Sequence, residues 1–212
     1  MSVVLTELHF LPCIAAFQHY AQANTILLEA QENYQKGSYR NRCHILGANG
    51  LQRLSLPLAK GKNNQQNIRE VGLSDQQDWA RQHWQSIRSA YGNAPFFFYY
   101  SDEVEGSIRS LPSTLWEYNL QLLRTAFSLL QWDKTIQLTE TFHPTAEKGE
   151  IDIRGKYSPK SFERQQELSW PSYPQVFQER HGFVGNLSIL DLLFCMGPQA
   201  NLYLSAEITS QE

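Results

Sequence analysis

The feature that most constrains this chain is the Asn49-Gly50 dipeptide, set between Ile45-Leu46 on one side and Leu51 with Leu54 on the other. Asn-Gly readily takes the positive backbone dihedrals of a tight turn, and flanked in this way it predicts a β-hairpin. The stretch leading into it, residues 34–44, reads Tyr-Gln-Lys-Gly-Ser-Tyr-Arg-Asn-Arg-Cys-His. Lys36, Arg40 and Arg42, with Arg53 beyond the turn, make a local cationic patch in a chain whose net charge is −3. Such a patch suits an anion or a polar ligand, and a hairpin holds it more rigidly than a tail would. Side chains alternate along a strand, so Arg40 and Arg42 are predicted to share one face, with Asn41 and Cys43 on the other. Two guanidiniums side by side fit a carboxylate or a phosphate. The competing reading is a solvated edge strand whose cations discourage pairing with another chain.

Around the hairpin the periodicities predict an α/β or α+β fold, a mixed sheet with packed helices in one domain spanning residues 1–212. Residues 1–110 form an α/β part that carries the cationic hairpin. Residues 111–205 form a helix-rich part with an irregular surface segment at 143–185. Val3-Val4-Leu5 and Thr25-Ile26-Leu27-Leu28 read as apolar strands around a short helix that Pro12 opens, a βαβ pattern with parallel strands. Residues 60–66 read as a polar loop. Residues 74–91 read as a helix with a Ser74–Gln77 capping box, stopped by Gly92-Asn93-Ala94-Pro95. The five aromatics at 96–100 read as a strand buried on both sides. Thr114 with Glu117 makes a second capping box, and Trp116, Leu120, Leu123, Phe127 and Leu130 then repeat at helical spacing. Residues 135–138 read as a strand, residues 188–196 as a last short helix, and the tail from Ala206 as frayed.

With 42% apolar residues the chain can bury a substantial core. The mildly acidic balance argues against general nucleic-acid binding. Apolar runs are too short to span a bilayer, and no cationic, then apolar, leader opens the chain, so a cytoplasmic protein is expected. Cys13, Cys43 and Cys195 are odd in number and widely spaced, which predicts free thiols and gives no metal pattern. No phosphate loop, dinucleotide fingerprint, nucleophile elbow or zinc-protease motif occurs, so no cofactor is named.

Single residues add candidates. His9 falls where the first strand ends, which is where open α/β sheets bind ligands, and His44 flanks the patch. Either suits a general base. His83 lies among Trp79 and Trp84, and Asn119 stands beside an apolar stripe and must find a backbone or ligand partner. His19 reads as structural. Asp191 has two readings, a first-turn partner of a Ser188 cap with Leu187 and Leu192 as a staple, or a catalytic carboxylate. Glu29, Asp133 and Asp152 read as single acids.

Residues 36–45, KGSYRNRCHI, followed by residues 49–58, NGLQRLSLPL, resemble the core motif of the WbqC-like family of bacterial proteins. HFLPCIAAF at 9–17, GFVGNLSILDLLFCMGP at 182–198, and a helix motif from His83-Trp84 through Tyr91-Gly92-Asn93-Ala94-Pro95-Phe96 extend the resemblance over nearly the whole chain. Many members open with Gln-Pro-x-Tyr-x-Pro, where this chain has Glu7-Leu8-His9-Phe10-Leu11-Pro12. Members occur beside surface-polysaccharide genes, and a glycine transferase role is suggested for some. The resemblance therefore implies a transferase that attaches a small acyl group, glycyl among them, to an amino sugar carried on a nucleotide. In that scheme Lys36, Arg40 and Arg42 hold phosphate or carboxylate and Asn41 orients by hydrogen bonds. His9 or His44 deprotonates the amine. His83, Asn119 and Asn186 line the ligand, and the motif's Asp191 is the carboxylate. A non-catalytic binding protein for an anionic sugar and a nucleotidyl-transfer enzyme are the alternatives.

Overall fold

The computed structural model describes residues 2–59, 65–75 and 78–205. Its centre is a four-stranded sheet of β1 (Val3–Thr6), β2 (Thr25–Leu28), β5 (Thr135–Leu138) and β6 (Glu150–Asp152), in the order β5-β2-β1-β6. Every pairing is parallel: Val3 lies opposite Thr25 and Glu150, and Thr25 opposite Thr135. All four carboxyl ends therefore open on one side. The helix α1 (Ile14–Gln22) supplies the crossover from β1 to β2, as the βαβ pattern predicts, and Val4, Leu5, Ile26 and Leu28 are fully buried. Residues 150–152 fall inside the stretch read as irregular. Three residues with a charge at each end, Glu-Ile-Asp, are too few to show a period, and only pairing with β1 makes them a strand.

The hairpin is a separate two-stranded sheet, β3 (Arg42–Gly47) and β4 (Gly50–Ser55), with Gly47 opposite Gly50. The turn is one residue earlier than Asn-Gly suggests. Ala48 and Asn49 occupy the bend, and Gly50 at φ +101 supplies the left-handed residue that closes it.

Helices α2 (Trp79–Tyr91), α3 (Phe97–Arg109) and α4 (Leu115–Leu129) follow. Asp78 precedes the first turn of α2, so the helix starts later than residue 74, and Gln77 of the expected capping box lies outside the described residues. Most of the polar loop at 60–66 and the tail from Ala206 also lie outside them. The aromatic run at 96–100 is helical, not a strand. Phe97, Val104 and Ile108 recur at helical spacing and face inward, Phe97 stacking on Trp84 at 5.9 Å, while Phe98 and Tyr99 are 86% and 74% exposed. Continuous aromaticity concealed that period. The Thr114–Glu117 capping box forms on α4, and Trp116, Leu123 and Phe127 are buried along it, with Leu120 half-buried. Two short helices, α5 (Phe162–Gln165) and α6 (Gln178–His181), punctuate the irregular segment. After α7 (Ile189–Met196) comes a further helix, α8 (Ala200–Ser205), packed on α1. Gly197 joins them at φ +53, where a side chain would strike the Phe96 ring. The three cysteines are free, as their odd number predicts. No helix among the described residues is long and apolar enough to cross a membrane.

Candidate active site

The carboxyl ends of the parallel strands carry a buried ionic cluster. Just past β1, Glu7 accepts hydrogen bonds from Gly155 N–H at 2.9 and 3.2 Å, and His9 Nε2 stands 3.1 Å from Glu7 Oε1. Just past β2, Glu29 accepts from Gln31 N–H and Thr139 O–H through one oxygen, and from His143 N–H and Arg154 Nη1 through the other. At the end of β6, Asp152 receives Arg154 through Nε at 3.0 Å and Nη2 at 2.7 Å. Glu32 grips Arg40 with both oxygens, Nε donating at 2.7 Å and Nη2 pairing with Oε2. The groups sense one another: Glu7 interacts electrostatically with Glu32, Arg40, Asp152 and Arg154. Open α/β sheets place ligands outside the carboxyl ends of their strands, and parallel pairing brings these residues there.

Charge states follow from the partners. Burial alone would raise the Glu7 pKa, but the His9 and Arg40 charges and the Gly155 N–H outweigh it and hold the carboxyl at about 2. Burial works against the Arg40 charge, and Glu32 more than offsets this. Arg154 lowers the Asp152 pKa through its hydrogen bonds.

His9 is 2% exposed, and neither of its ring nitrogens has a hydrogen bond of good geometry; its ring packs edge-on to Tyr39 at 5.8 Å. The bend that carries it includes Leu11 at φ +45, a backbone region that costs a non-glycine residue about 1–3 kcal/mol and recurs at functional sites. Near it lie more buried polar atoms without partners among the described residues: Nδ1 of His83, whose ring packs on Phe10 at 5.9 Å, Nε of Arg42, and Oδ1 of Asn119. Buried polar groups are ordinarily satisfied, so their gathering around residues 9–10 and 39–42 makes this region the candidate site.

Several predicted site residues sit differently. Arg40 is in a turn before β3 and not on it, so Arg40 and Arg42 do not share a strand face; the face of Arg42 carries His44, with Arg53 and Ser55 opposite. Arg40 is committed to Glu32, and Lys36 is exposed on the turn. Asn41 accepts from Tyr34 O–H and donates to Leu56 C=O, so both ends serve the fold. Asn119 donates to the Arg40 carbonyl at 2.7 Å, the backbone partner its position requires. Asn186, at φ +53, caps α1 by accepting from Ala15 N–H at 2.9 Å and donates to Gln165, so both ends of its amide serve the fold. His44 accepts or donates to Tyr39 O–H at 3.0 Å and packs on Phe162. Burial, then the Arg53 and Arg42 charges, pushes its pKa to about 4, which makes it a poor proton acceptor; burial does the same to His83. His19 Nε2 lies 2.9 Å from Tyr157 Oη and 3.2 Å from Lys156 Nζ. Ser188 caps α7, but Asp191 does not complete the box. Its Oδ2 accepts from Tyr173 O–H at 2.6 Å and Gln175 Nε2 at 2.8 Å, and burial raises its pKa to about 6. Leu187 packs with Leu46 and Phe162 in a small separate cluster, apart from the core that holds Leu192. Burial raises the Cys43 pKa, which keeps the thiol protonated and unreactive.

Glu7, Glu32 and Arg154 were not singled out by their sequence positions, and Glu29 and Asp152 read as isolated. One signal was available for two of them: Glu7 and Glu29 each directly follow an apolar strand, the position where a parallel sheet presents polar groups.

A model of the WbqC-like protein family matches residues 8–157. An uncharacterised protein of Mycobacterium tuberculosis is 26% identical over 224 residues, covering 95% of this chain and 96% of that one. No solved structure matches.

Proposed function

The chain belongs to the WbqC-like protein family, and from that premise we propose that it is an acyl or aminoacyl transferase, glycyl being the smallest group, acting on the amine of a nucleotide-linked amino sugar in surface-polysaccharide synthesis. One observation carries the reading: the buried Glu7–His9 pair just past β1, with a carboxylate 3.1 Å from one imidazole nitrogen and neither nitrogen in a hydrogen bond of good geometry. A carboxylate beside an imidazole whose second nitrogen is open to substrate resembles the arrangement that acyl-transfer bases use. The amine nitrogen attacks the carbonyl carbon of an activated acyl ester or thioester. As the C–N bond forms, His9 Nδ1 takes the proton from nitrogen. It then returns that proton to the leaving group as the bond between that group and the carbonyl carbon breaks. Lys36 on its turn and Arg42 on β3 are the cations left for the nucleotide phosphates, because Arg40 already has a partner.

The test is incubation of the purified protein with UDP-glucosamine and activated glycyl donors, with mass spectrometry for the N-acylated sugar. Product from the native chain and a loss of about 100-fold or more in His9→Gln, at unchanged thermal stability, supports the reading. Binding of the nucleotide sugar without any product favours a non-catalytic binding protein. Release of pyrophosphate favours nucleotidyl transfer.

A further inference from the structure

We propose that the cluster at the carboxyl end of the parallel sheet binds a cationic primary amine, the protonated amino group of the acceptor. This rests on the transferase reading of the same site and reverses the polarity that the cation-rich sequence suggests. Among the described residues the three buried acids Glu7, Glu29 and Glu32 face two guanidiniums, Arg40 and Arg154, and the more exposed Asp152 shares Arg154 with Glu29. Glu7 is the buried carboxylate without an arginine of its own, and His9 stands beside it. Buried charge is ordinarily paired, so the cluster favours a ligand that brings one positive charge.

The second, independent observation is His9. Its imidazole is almost wholly buried inside the cluster against Glu7, yet has no hydrogen bond of good geometry. Such an imidazole, buried beside the carboxylate with neither nitrogen hydrogen-bonded, leaves a position open for a bound polar group. The cluster reaches the surface at the β6 edge, where the Asp152 side chain is 32% exposed, while the Glu7 side chain is 1% exposed. An ammonium is favoured over a metal ion: among the described residues no three His, Cys, Asp or Glu side chains are grouped to hold one.

The experiment is an NMR titration of the whole chain with glucosamine, N-acetylglucosamine and glucose, following the Gly155 amide and the His9 ring. Glucosamine is expected to shift both signals saturably, with an affinity at least about tenfold above that of its N-acetyl and hydroxyl counterparts. Glu7→Gln keeps an acceptor for Gly155 N–H and removes the charge, and Asp152→Asn removes charge at the rim. Each should shrink the preference for the amine to about threefold or less. Equal binding of the three sugars, no shift up to tens of millimolar, or an amine preference that survives both variants overturns the proposal. Amine binding without transfer overturns the transferase reading alone.

Discussion

A buried arginine serves a ligand only when no protein group already holds it, and Arg40 is held by Glu32 through two hydrogen bonds. Arg40→Ala should therefore act through stability. Removing one partner of a buried pair costs about 3–5 kcal/mol, and urea unfolding should show that loss, with Arg40→Met/Glu32→Leu recovering much of it. A variant as stable as the native chain that has lost its ligand would return Arg40 to the binding site. Asp191 gives a prediction of opposite character. Its folded pKa of about 6 lies above the ordinary aspartate value of 3.8, so its contribution to stability is present below pH 3.8 and lost as pH rises through 6. Asp191→Asn should stabilise the protein by about 3 kcal/mol at pH 8 and by almost nothing at pH 4, read from denaturant midpoints across that range. A gain that is equal at both pH values would show that the charge is not the cause. The sequence exposes some of this and hides the rest. His9 was legible because a strand end locates it. The Glu32–Arg40 and Glu29–Arg154 pairs were not, because the first spans a turn without a period and the second joins residues 125 apart, which chain spacing cannot bring together.

Elements were legible in proportion to their length and caps. Helix α4 shows about four turns of period and a reciprocal cap, and the structure follows both. Leu123, fully buried at its centre, should cost about 2–5 kcal/mol when replaced by alanine, seen as a lower denaturation midpoint with an unchanged slope. A smaller cost would mean that its surroundings close over the gap. Helix α3 was misread because an unbroken aromatic run looks like a strand buried on both sides; the exposed Phe98 and Tyr99 reveal two residues that the core does not use. Strand β6 was unreadable at three residues, yet it brings Asp152 and Arg154 to the cluster and leads into Gly155, whose N–H holds Glu7. The least legible strand thus supplies a side of the site.

At the scale of the molecule, the order β5-β2-β1-β6 places the first two strands of the chain at the centre and strands from residues 135–152 at the edges. This has a consequence during synthesis. When residues 1–59 have left the ribosome, β1, α1, β2 and the hairpin all exist as sequence, but β1 and β2 each retain one open edge. Those apolar strands wait until more than seventy further residues are made before either edge can close. Pairing over such separations carries its loop-closure entropy before any contact rewards it, which is the topology expected to fold slowly and to expose strand edges on the way. The N-terminal strands define the centre of the sheet, and the late arrival of residues 135–155 decides when that centre, and the charged cluster above it, comes into being.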